Sequence, residues 1–189
     1  MQKGKIIFPN GVSSSGKTTI AKTLQKKLTE PYCWLSVDNF LHTMDERFLN
    51  DQEWLGAGGI EWIWKALAVF HKSIQTFSDA GLNVIEDHVL QMPGWINECL
   101  DLLCDNDVLF VHVTCPLEEL TRREKERADR WNGQGESQLE KLLPKDEIYD
   151  ITIDTFSSSK EECADEIIKL LDQPENFKAF ETLRANRTQ

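Results

Sequence analysis

The stretch Gly11-Val12-Ser13-Ser14-Ser15-Gly16-Lys17-Thr18 decides the fold. It matches the pattern G-x-x-x-x-G-K-[ST] of a phosphate-binding loop, the P-loop. The apolar run Ile6-Ile7-Phe8 before it predicts a buried strand, and residues 19–28 after it predict a helix. The motif therefore joins a strand to a helix N-terminus, where unpaired backbone N–H groups and the helix dipole favour an anion. This context argues against a chance match in a serine-rich turn.

The positions of the motif have distinct chemical roles. Glycine lets the backbone wrap closely around phosphate oxygens. Lys17 can reach the β- and γ-phosphates of a nucleotide, and the Thr18 hydroxyl can bind Mg²⁺. We expect the nucleotide to contact Gly11, Ser13, Ser14, Ser15, Gly16, Lys17, Thr18 and Thr19.

Bulk composition narrows the class of protein. A chain of 189 residues suits a single domain, residues 1–189, with 40% hydrophobic and 28% charged residues as in ordinary globular proteins. Its net charge of −11 predicts repulsion from nucleic acid, so no nucleic-acid partner is expected. The 5 cysteines are odd in number and lack a C-x-x-C pair, which favours reduced thiols. We find no secretion signal or membrane-spanning stretch, and we expect a cytoplasmic protein without a membrane partner.

Extended and helical patterns alternate along the chain. Strands are predicted at 5–8, 32–37, 83–89, 108–113 and 149–154. Helices are predicted at 17–28, 60–80, 93–104, 117–127, 160–171 and 175–186. This alternation predicts an α/β fold in which helices cover both faces of a central five-stranded parallel sheet. Residues 40–59 follow neither period, which indicates a loop or a short helix with a flexible end.

Polar residues at predicted strand ends are the first candidates for catalysis, because ligands of parallel α/β sheets bind beyond the carboxyl ends of the strands. Asp38 ends the second strand and could accept a proton from a hydroxyl that attacks the γ-phosphate. Alternatively, it is the N-cap of a helix that begins near Asn39.

Two adjacent acids end the third strand. Glu86 and Asp87 point to opposite faces, so one of them can face the phosphates and hold Mg²⁺, and we favour Asp87. Both could instead be surface or capping acids. His88, which follows them, could contact the substrate or have a structural role.

An arginine-rich run, residues 122–130, follows the fourth strand. Arg123, Arg127 and Arg130 share one helical face and lead into a glycine-bearing segment. This pattern suits a lid over about residues 122–140 in which Arg127 and Arg130 stabilise the transferring phosphoryl group and Arg123 contacts the nucleotide. The alternative is a solvated helix whose arginines pair with neighbouring glutamates.

Three tryptophans, Trp54, Trp62 and Trp64, lie between the second and third strands. They could line a pocket for an apolar or aromatic substrate. Tryptophans at helical spacing could equally belong to the core.

With these residues in place, the chain resembles the chloramphenicol phosphotransferase family of P-loop kinases. The matching stretches are residues 6–18, 36–38, 58–61, 80–89 and 149–155, Cys115 with the arginine-rich helix after it, and the segment Asp129-Arg130. The resemblance implies a three-layer P-loop kinase fold with a lid, and ATP-dependent phosphorylation of a small-molecule hydroxyl with Mg²⁺. It also implies that Asp38 is the general base.

The resemblance leaves the acceptor open. The stretch between Asp38 and Ile60, which shapes the acceptor pocket, differs from the chloramphenicol enzyme. We therefore expect the acceptor to be an antibiotic, not necessarily chloramphenicol, or a related metabolite. Similar P-loop kinases include zeta-type toxins, which phosphorylate a sugar nucleotide, and a nucleotide or sugar-nucleotide kinase remains an alternative. A second alternative is a P-loop ATPase that acts through a protein partner. No N-K-x-D run for guanine is present, which favours ATP. The oligomeric state is not predicted.

Overall fold

The protein contains one parallel sheet within the residues that its computed structural model describes, which are 2–49, 51–126, 133–146 and 148–187. The strands are β1 Ile6–Asn10, β2 Tyr32–Ser36, β3 Asn83–Asp87, β4 Val108–Thr114 and β5 Ile151–Asp154. Their order across the sheet is β2-β3-β1-β4-β5, and every neighbouring pair is parallel. The predicted five-stranded parallel sheet is confirmed, with the strand before the P-loop at its centre.

Helices connect these strands. The longer ones are α1 Lys17–Lys27, α5 Ile60–Asp79, α6 Pro93–Leu102, α7 Leu117–Lys125, α9 Lys160–Leu171 and α10 Ala179–Arg187. The shorter ones are α2 Val37–Leu41, α3 Glu46–Leu49, α4 Gln52–Trp54 and α8 Gln134–Leu139, with a π-helical turn at Leu55–Gly59 and a 3₁₀ turn at Pro174–Asn176. Within the described residues, no helix is both long and apolar enough to cross a membrane.

The helices form a layer on each face of the sheet. Successive strand residues point to opposite faces, so Ile7 packs with α1 and α9 while Phe8 packs with α5, α6 and α10. Both side chains are fully buried. Burial of one such side chain stabilises the folded state by about 1.5–3 kcal/mol. The predicted three-layer α/β/α architecture is therefore confirmed.

Several element boundaries differ from the sequence prediction. Strand β2 ends at Ser36 rather than Val37, because α2 begins at Val37. Strand β5 begins at Ile151 rather than at Tyr149, whose ring stacks on His112 at 4.3 Å between centroids. The described residues of the irregular stretch 40–59 form short helices and a turn. These differences leave the strand order and the position of the P-loop unchanged.

Candidate active site

The P-loop wraps between β1 and α1 in a conformation that depends on glycine. Gly16, the N-cap of α1, has φ 104°, a left-handed value that L side chains rarely adopt. A Cβ at this position would also lie only 3.1 Å from a Thr155 methyl carbon. Ser14 likewise has a positive φ of 63°. This backbone exposes N–H groups at the helix N-terminus, the arrangement that binds anions.

Three buried hydroxyls mark the loop as a polar site. The Oγ atoms of Ser13, Ser14 and Ser15 have no hydrogen-bond partner in the described part of the chain. Buried polar atoms nearly always have partners, so a concentration of three within one loop indicates that a polar group belongs there. Of the three, Ser13 and Ser14 line the cavity described below, and a phosphate group with its acceptor oxygens fits their hydroxyls.

Lys17 is the first residue of α1, and its side chain reaches back to the beginning of the loop. Its Nζ donates to the backbone oxygens of Gly11 at 2.8 Å and Val12 at 3.0 Å. The ammonium group is buried with the rest of the side chain, which is only 7% exposed. These bonds hold the cation beside the loop, within reach of a phosphate seated in it.

Thr18 and Asp87 place a hydroxyl oxygen and a carboxylate oxygen side by side next to the P-loop. The Thr18 hydroxyl donates to Asp87 Oδ2 at 2.7 Å, because β3 lies beside β1 and ends next to the start of α1. Mg²⁺ prefers oxygen ligands and commonly takes one or two protein oxygens together with substrate phosphates. The pair fits this requirement, and the described residues contain no group of three or more His, Cys, Asp or Glu side chains suited to a metal.

Glu86 lies on the opposite face of β3. It is fully buried, and neither carboxylate oxygen has a hydrogen-bond partner in the described chain. Burial, and then the charge of Asp87, raise the pKa of Glu86 well above its usual value, although Lys17 and the nearby backbone amide of His88 oppose this. The structure therefore brings Asp87, and not Glu86, to Thr18.

His88 lines the cavity with the edge of an otherwise buried aromatic cluster. Its ring centroid lies 5.4 Å from that of His71 and 5.1 Å from that of Trp95. Burial, then the charges of His71 and Lys17, hold the pKa of His88 well below its usual range. His71 Nδ1 lies 2.7 Å from Glu98 Oε2 and donates to this carboxylate in the tautomer that carries the proton on Nδ1. A neutral histidine in this position supports the wall of the cavity.

A single large cavity of about 760 Å³ joins these residues. Nine of the predicted site residues line it, namely Ser13, Ser14, Gly16, Lys17, Thr18, Thr19, Asp38, Asp87 and Arg123. Gly11, Ser15 and Glu86 do not line it, although Gly11 and Ser15 contribute backbone oxygens to contacts behind it. The cavity extends from the β2 side of the sheet, with Asp38, to the β5 side, with Thr155.

Asp38 lies in the first turn of α2, with its side chain exposed on the cavity. The residue at the N-cap position is Ser36, so Asp38 is not the N-cap of a helix that begins near Asn39. Asp38 was predicted directly at the strand end, but it lies two residues after the last residue of β2, because α2 begins at Val37. Its carboxylate nevertheless faces the cavity that contains the P-loop lysine.

Arg123 joins the arginine-rich helix α7 to the P-loop. It donates to Thr155 Oγ1 at 2.9 Å and to the Ser14 backbone oxygen at 3.3 Å, and it also pairs with Glu119. Arg122, by contrast, is exposed and pairs with Glu119 and Glu126, as in a solvated helix. The predicted catalytic arginines Arg127 and Arg130 lie outside the described residues.

Helix α8, which falls within the predicted lid segment, contributes two cavity residues that the sequence analysis missed, Gln134 and Gln138. Gln138 Oε1 accepts the backbone N–H of Ser13 at 2.6 Å. The buried carboxylate of Glu124 accepts the backbone N–H groups of Gly133 and Gly135. No sequence pattern marks these contacts, because each depends on how the lid packs.

The tryptophan cluster does not line the cavity. Trp54 and Trp62 contact each other with centroids 6.5 Å apart, and the side chains of Trp62 and Trp64 are each 48% exposed. They are therefore neither core residues nor walls of the main cavity. Trp95, from the start of α6, lines the cavity instead, near Ile63 of α5.

Comparisons with known proteins agree with this geometry. A model of the family described as chloramphenicol phosphotransferase-like protein matches residues 4–172. A provisionally named O-phosphotransferase of Mycobacterium tuberculosis is similar, with 29% identity over 88% of this chain and 82% of its own. An adenylyl-sulfate kinase of Clostridium acetobutylicum is 28% identical over 91% of this chain and 85% of its own.

The fold is also similar to a solved kinase structure. The Mycobacterium tuberculosis APS kinase CysC, in complex with AMPPNP and APS, matches with a TM-score of 0.69. The match is 21% identical and covers 92% of this chain and 100% of that chain. At this identity the similarity concerns the fold, which is that of P-loop kinases.

Proposed function

The chain belongs to the chloramphenicol phosphotransferase-like family, and from this premise we propose that it transfers the γ-phosphate of ATP to a hydroxyl group of a small molecule. Family and fold support a small-molecule phosphotransferase. One observation carries the finer assignment: Asp38, Lys17 and the Thr18–Asp87 pair line the same cavity. These groups are the base, the phosphate-binding cation and the metal-binding oxygens that phosphoryl transfer requires.

The roles of the residues follow from their positions. Asp38 orients the acceptor hydroxyl and takes up its proton as the oxygen attacks phosphorus. Lys17 and the P-loop N–H groups hold the phosphates in line with that oxygen. Thr18 and Asp87 would hold Mg²⁺, which neutralises phosphate charge when it is bound. Most of the rate enhancement then comes from positioning and charge stabilisation.

The two ends of the cavity suit different ligands. Its described cationic lining residues are Lys17, Arg123 and Lys160, of which the last two lie toward β5. The end near Asp38 is lined by Val37, Leu41, Ile63, Leu67, Val89, Gln91, Trp95 and His88, whose lowered pKa keeps it neutral. We therefore assign the nucleotide to the β5 end. The acceptor at the Asp38 end is an uncharged, partly apolar hydroxyl compound, because no described cation there would compensate an anionic group.

ADP release from Mg²⁺-ATP tests this function directly. The assay compares a panel of hydroxyl compounds, both uncharged (chloramphenicol, nucleosides) and charged (macrolides and aminoglycosides as cations, UDP-N-acetylglucosamine and adenylyl sulfate as anions). The Lys17→Ala variant is the blank, because it lacks the cation on the phosphates. We expect release that depends on an uncharged acceptor and is absent from the blank.

Other outcomes have defined meanings. Release that depends only on an anionic acceptor would support the kinase and contradict the assignment of an uncharged acceptor. Equal release with and without every compound would favour an ATPase that acts through a protein partner.

A further inference from the structure

Glu124 is a buried carboxylate with two backbone donors. Its side chain is on α7, and the residue is 2% exposed. Oε2 accepts the N–H of Gly133 at 2.9 Å, and Oε1 accepts the N–H of Gly135 at 2.6 Å. A buried carboxylate is costly unless its oxygens are hydrogen-bonded, and here each oxygen has one donor. Glu124 thereby fixes the beginning of α8 to α7.

Helix α8 in turn lies directly on the P-loop. A Cβ at Gly135 would be 3.0 Å from the Ser13 backbone oxygen and 3.0 Å from Glu124 Oε1, so the helix has no space for a larger residue there. One turn later, Gln138 Oε1 accepts the Ser13 N–H at 2.6 Å. The helix therefore contacts both polar groups of the Ser13 backbone.

Helix α7 also holds the P-loop itself. Arg123, which precedes Glu124, donates to the backbone oxygens of Ser14 and Ser15 at 3.3 and 3.5 Å. Two consecutive residues of one helical turn thus connect to the P-loop and to the lid helix. A shift of α8 relative to α7 would move Gln138 away from the loop.

The hydrogen bond between Gln138 and Ser13 lies near the end of the P-loop that faces the γ-phosphate. Lys17 Nζ lies 3.0 Å from the Val12 oxygen, which belongs to the same peptide group as the Ser13 nitrogen. The P-loop lysine reaches the β- and γ-phosphates, so Ser13 lies at that end. Gln134 and Gln138 line the cavity there, and amide groups can donate to phosphate oxygens.

We propose that Glu124 is a positioning residue that docks α8 on the P-loop, and that the docked helix strengthens binding of nucleotides that carry a γ-phosphate. The proposal rests on the proposed kinase function. It concerns the nucleotide end of the cavity and does not depend on the identity of the acceptor.

Calorimetric titration of the full chain with AMP-PNP and with ADP, each in excess Mg²⁺, tests the proposal. Glu124→Gln keeps the side-chain shape but turns an NH₂ group toward one of the two backbone N–H donors. We expect the AMP-PNP affinity to fall about tenfold or more and the ADP affinity to fall less than about threefold. Glu118→Gln, an exposed glutamate on the same helix, removes the same charge and should change neither affinity.

Gln138→Ala provides an independent variant that leaves Glu124 intact. It should show the same selective loss for AMP-PNP, and it keeps the test decisive if Glu124→Gln does not fold. Equal losses for both nucleotides, or no loss in a folded variant, would overturn the docking role while leaving the kinase function intact. Failure of the wild-type chain to bind either nucleotide would overturn the proposed function, and the docking role with it.

Discussion

The Thr18 hydroxyl donates a hydrogen bond of 2.7 Å to Oδ2 of Asp87. The two residues are 69 positions apart, yet parallel pairing of β1 with β3 brings them together at the start of α1. A hydroxyl and a carboxylate at a helix N-terminus provide oxygen ligands beside a phosphate site. This relationship gives the metal assignment a direct test.

We expect Asp87→Asn to lower kcat by about 10²- to 10³-fold and to raise the Mg²⁺ concentration needed for half-maximal rate. The amide keeps the shape of the side chain but loses the negative charge that attracts the cation. Steady-state kinetics over a Mg²⁺ series would measure both effects. Glu86→Gln, on the other face of β3, should leave the Mg²⁺ dependence unchanged. A shift in that variant alone would transfer the metal role to Glu86.

We expect Asp38→Asn to lower turnover by about 10²- to 10⁴-fold, the range that general base catalysis contributes. The affinity for AMP-PNP should stay at the wild-type level, because Asp38 lies at the acceptor end of the cavity. The control is Asp45→Asn, an exposed aspartate nearby that pairs with Arg47. Full activity of the Asp38 variant with the identified acceptor would refute the base assignment.

The sequence predicted the parts of the site that depend on local pattern. The P-loop follows from one motif, and the alternation of strands and helices predicts a parallel sheet whose carboxyl ends lie along one edge. The pairing of β1 with β3, which brings Asp87 to Thr18, was not predicted, because alternation does not determine the strand order. The choice between Glu86 and Asp87 needed coordinates, because the pleat direction of a short buried strand is not visible in an apolar run.

Other features depend on packing between distant segments. The Gln138 contact with Ser13 spans 125 residues, and nothing near Gln138 in the sequence marks it.

The sequence also did not reveal which aromatic residue lines the cavity. The buried stripe of α5 contains Leu67, Phe70 and Ile74, and its extension toward the N-terminus reaches Ile63 in the cavity rather than Trp62. Residue type alone therefore suggested the wrong aromatic residues for the cavity wall.

We expect Trp95→Ala to raise KM for the acceptor about tenfold while KM for ATP stays within about twofold of wild type, because Trp95 contributes aromatic surface at the acceptor end. Kinetics with each substrate varied in turn would separate the two constants. Trp62→Ala is the matched control, since this tryptophan is 48% exposed and lies outside the cavity. A larger acceptor effect in the control would restore the tryptophan cluster as the acceptor site.

The pair of His71 and Glu98 predicts a pH dependence of stability. Burial lowers the pKa of His71 below its usual value of 6.5, and the hydrogen bond to Glu98 opposes this only in part. In the unfolded chain the imidazole takes up a proton below about pH 6.5. The folded state resists that proton, so the stability that His71 contributes is present above this pH and is lost as the pH falls toward its folded pKa.

We therefore expect the free energy of unfolding to decrease less steeply in His71→Gln than in wild type as the pH falls below about 6.5. The glutamine amide can still donate to Glu98 but does not titrate. Urea unfolding over a pH series would give the slope for each protein. Comparison at equal pH removes the contributions of groups that do not interact with His71, so the difference reports His71 together with its effect on the neighbouring His88. His42→Gln, which changes an exposed histidine, should retain the wild-type slope. Equal slopes for wild type and His71→Gln would show that the imidazole titrates alike in the folded and unfolded chains.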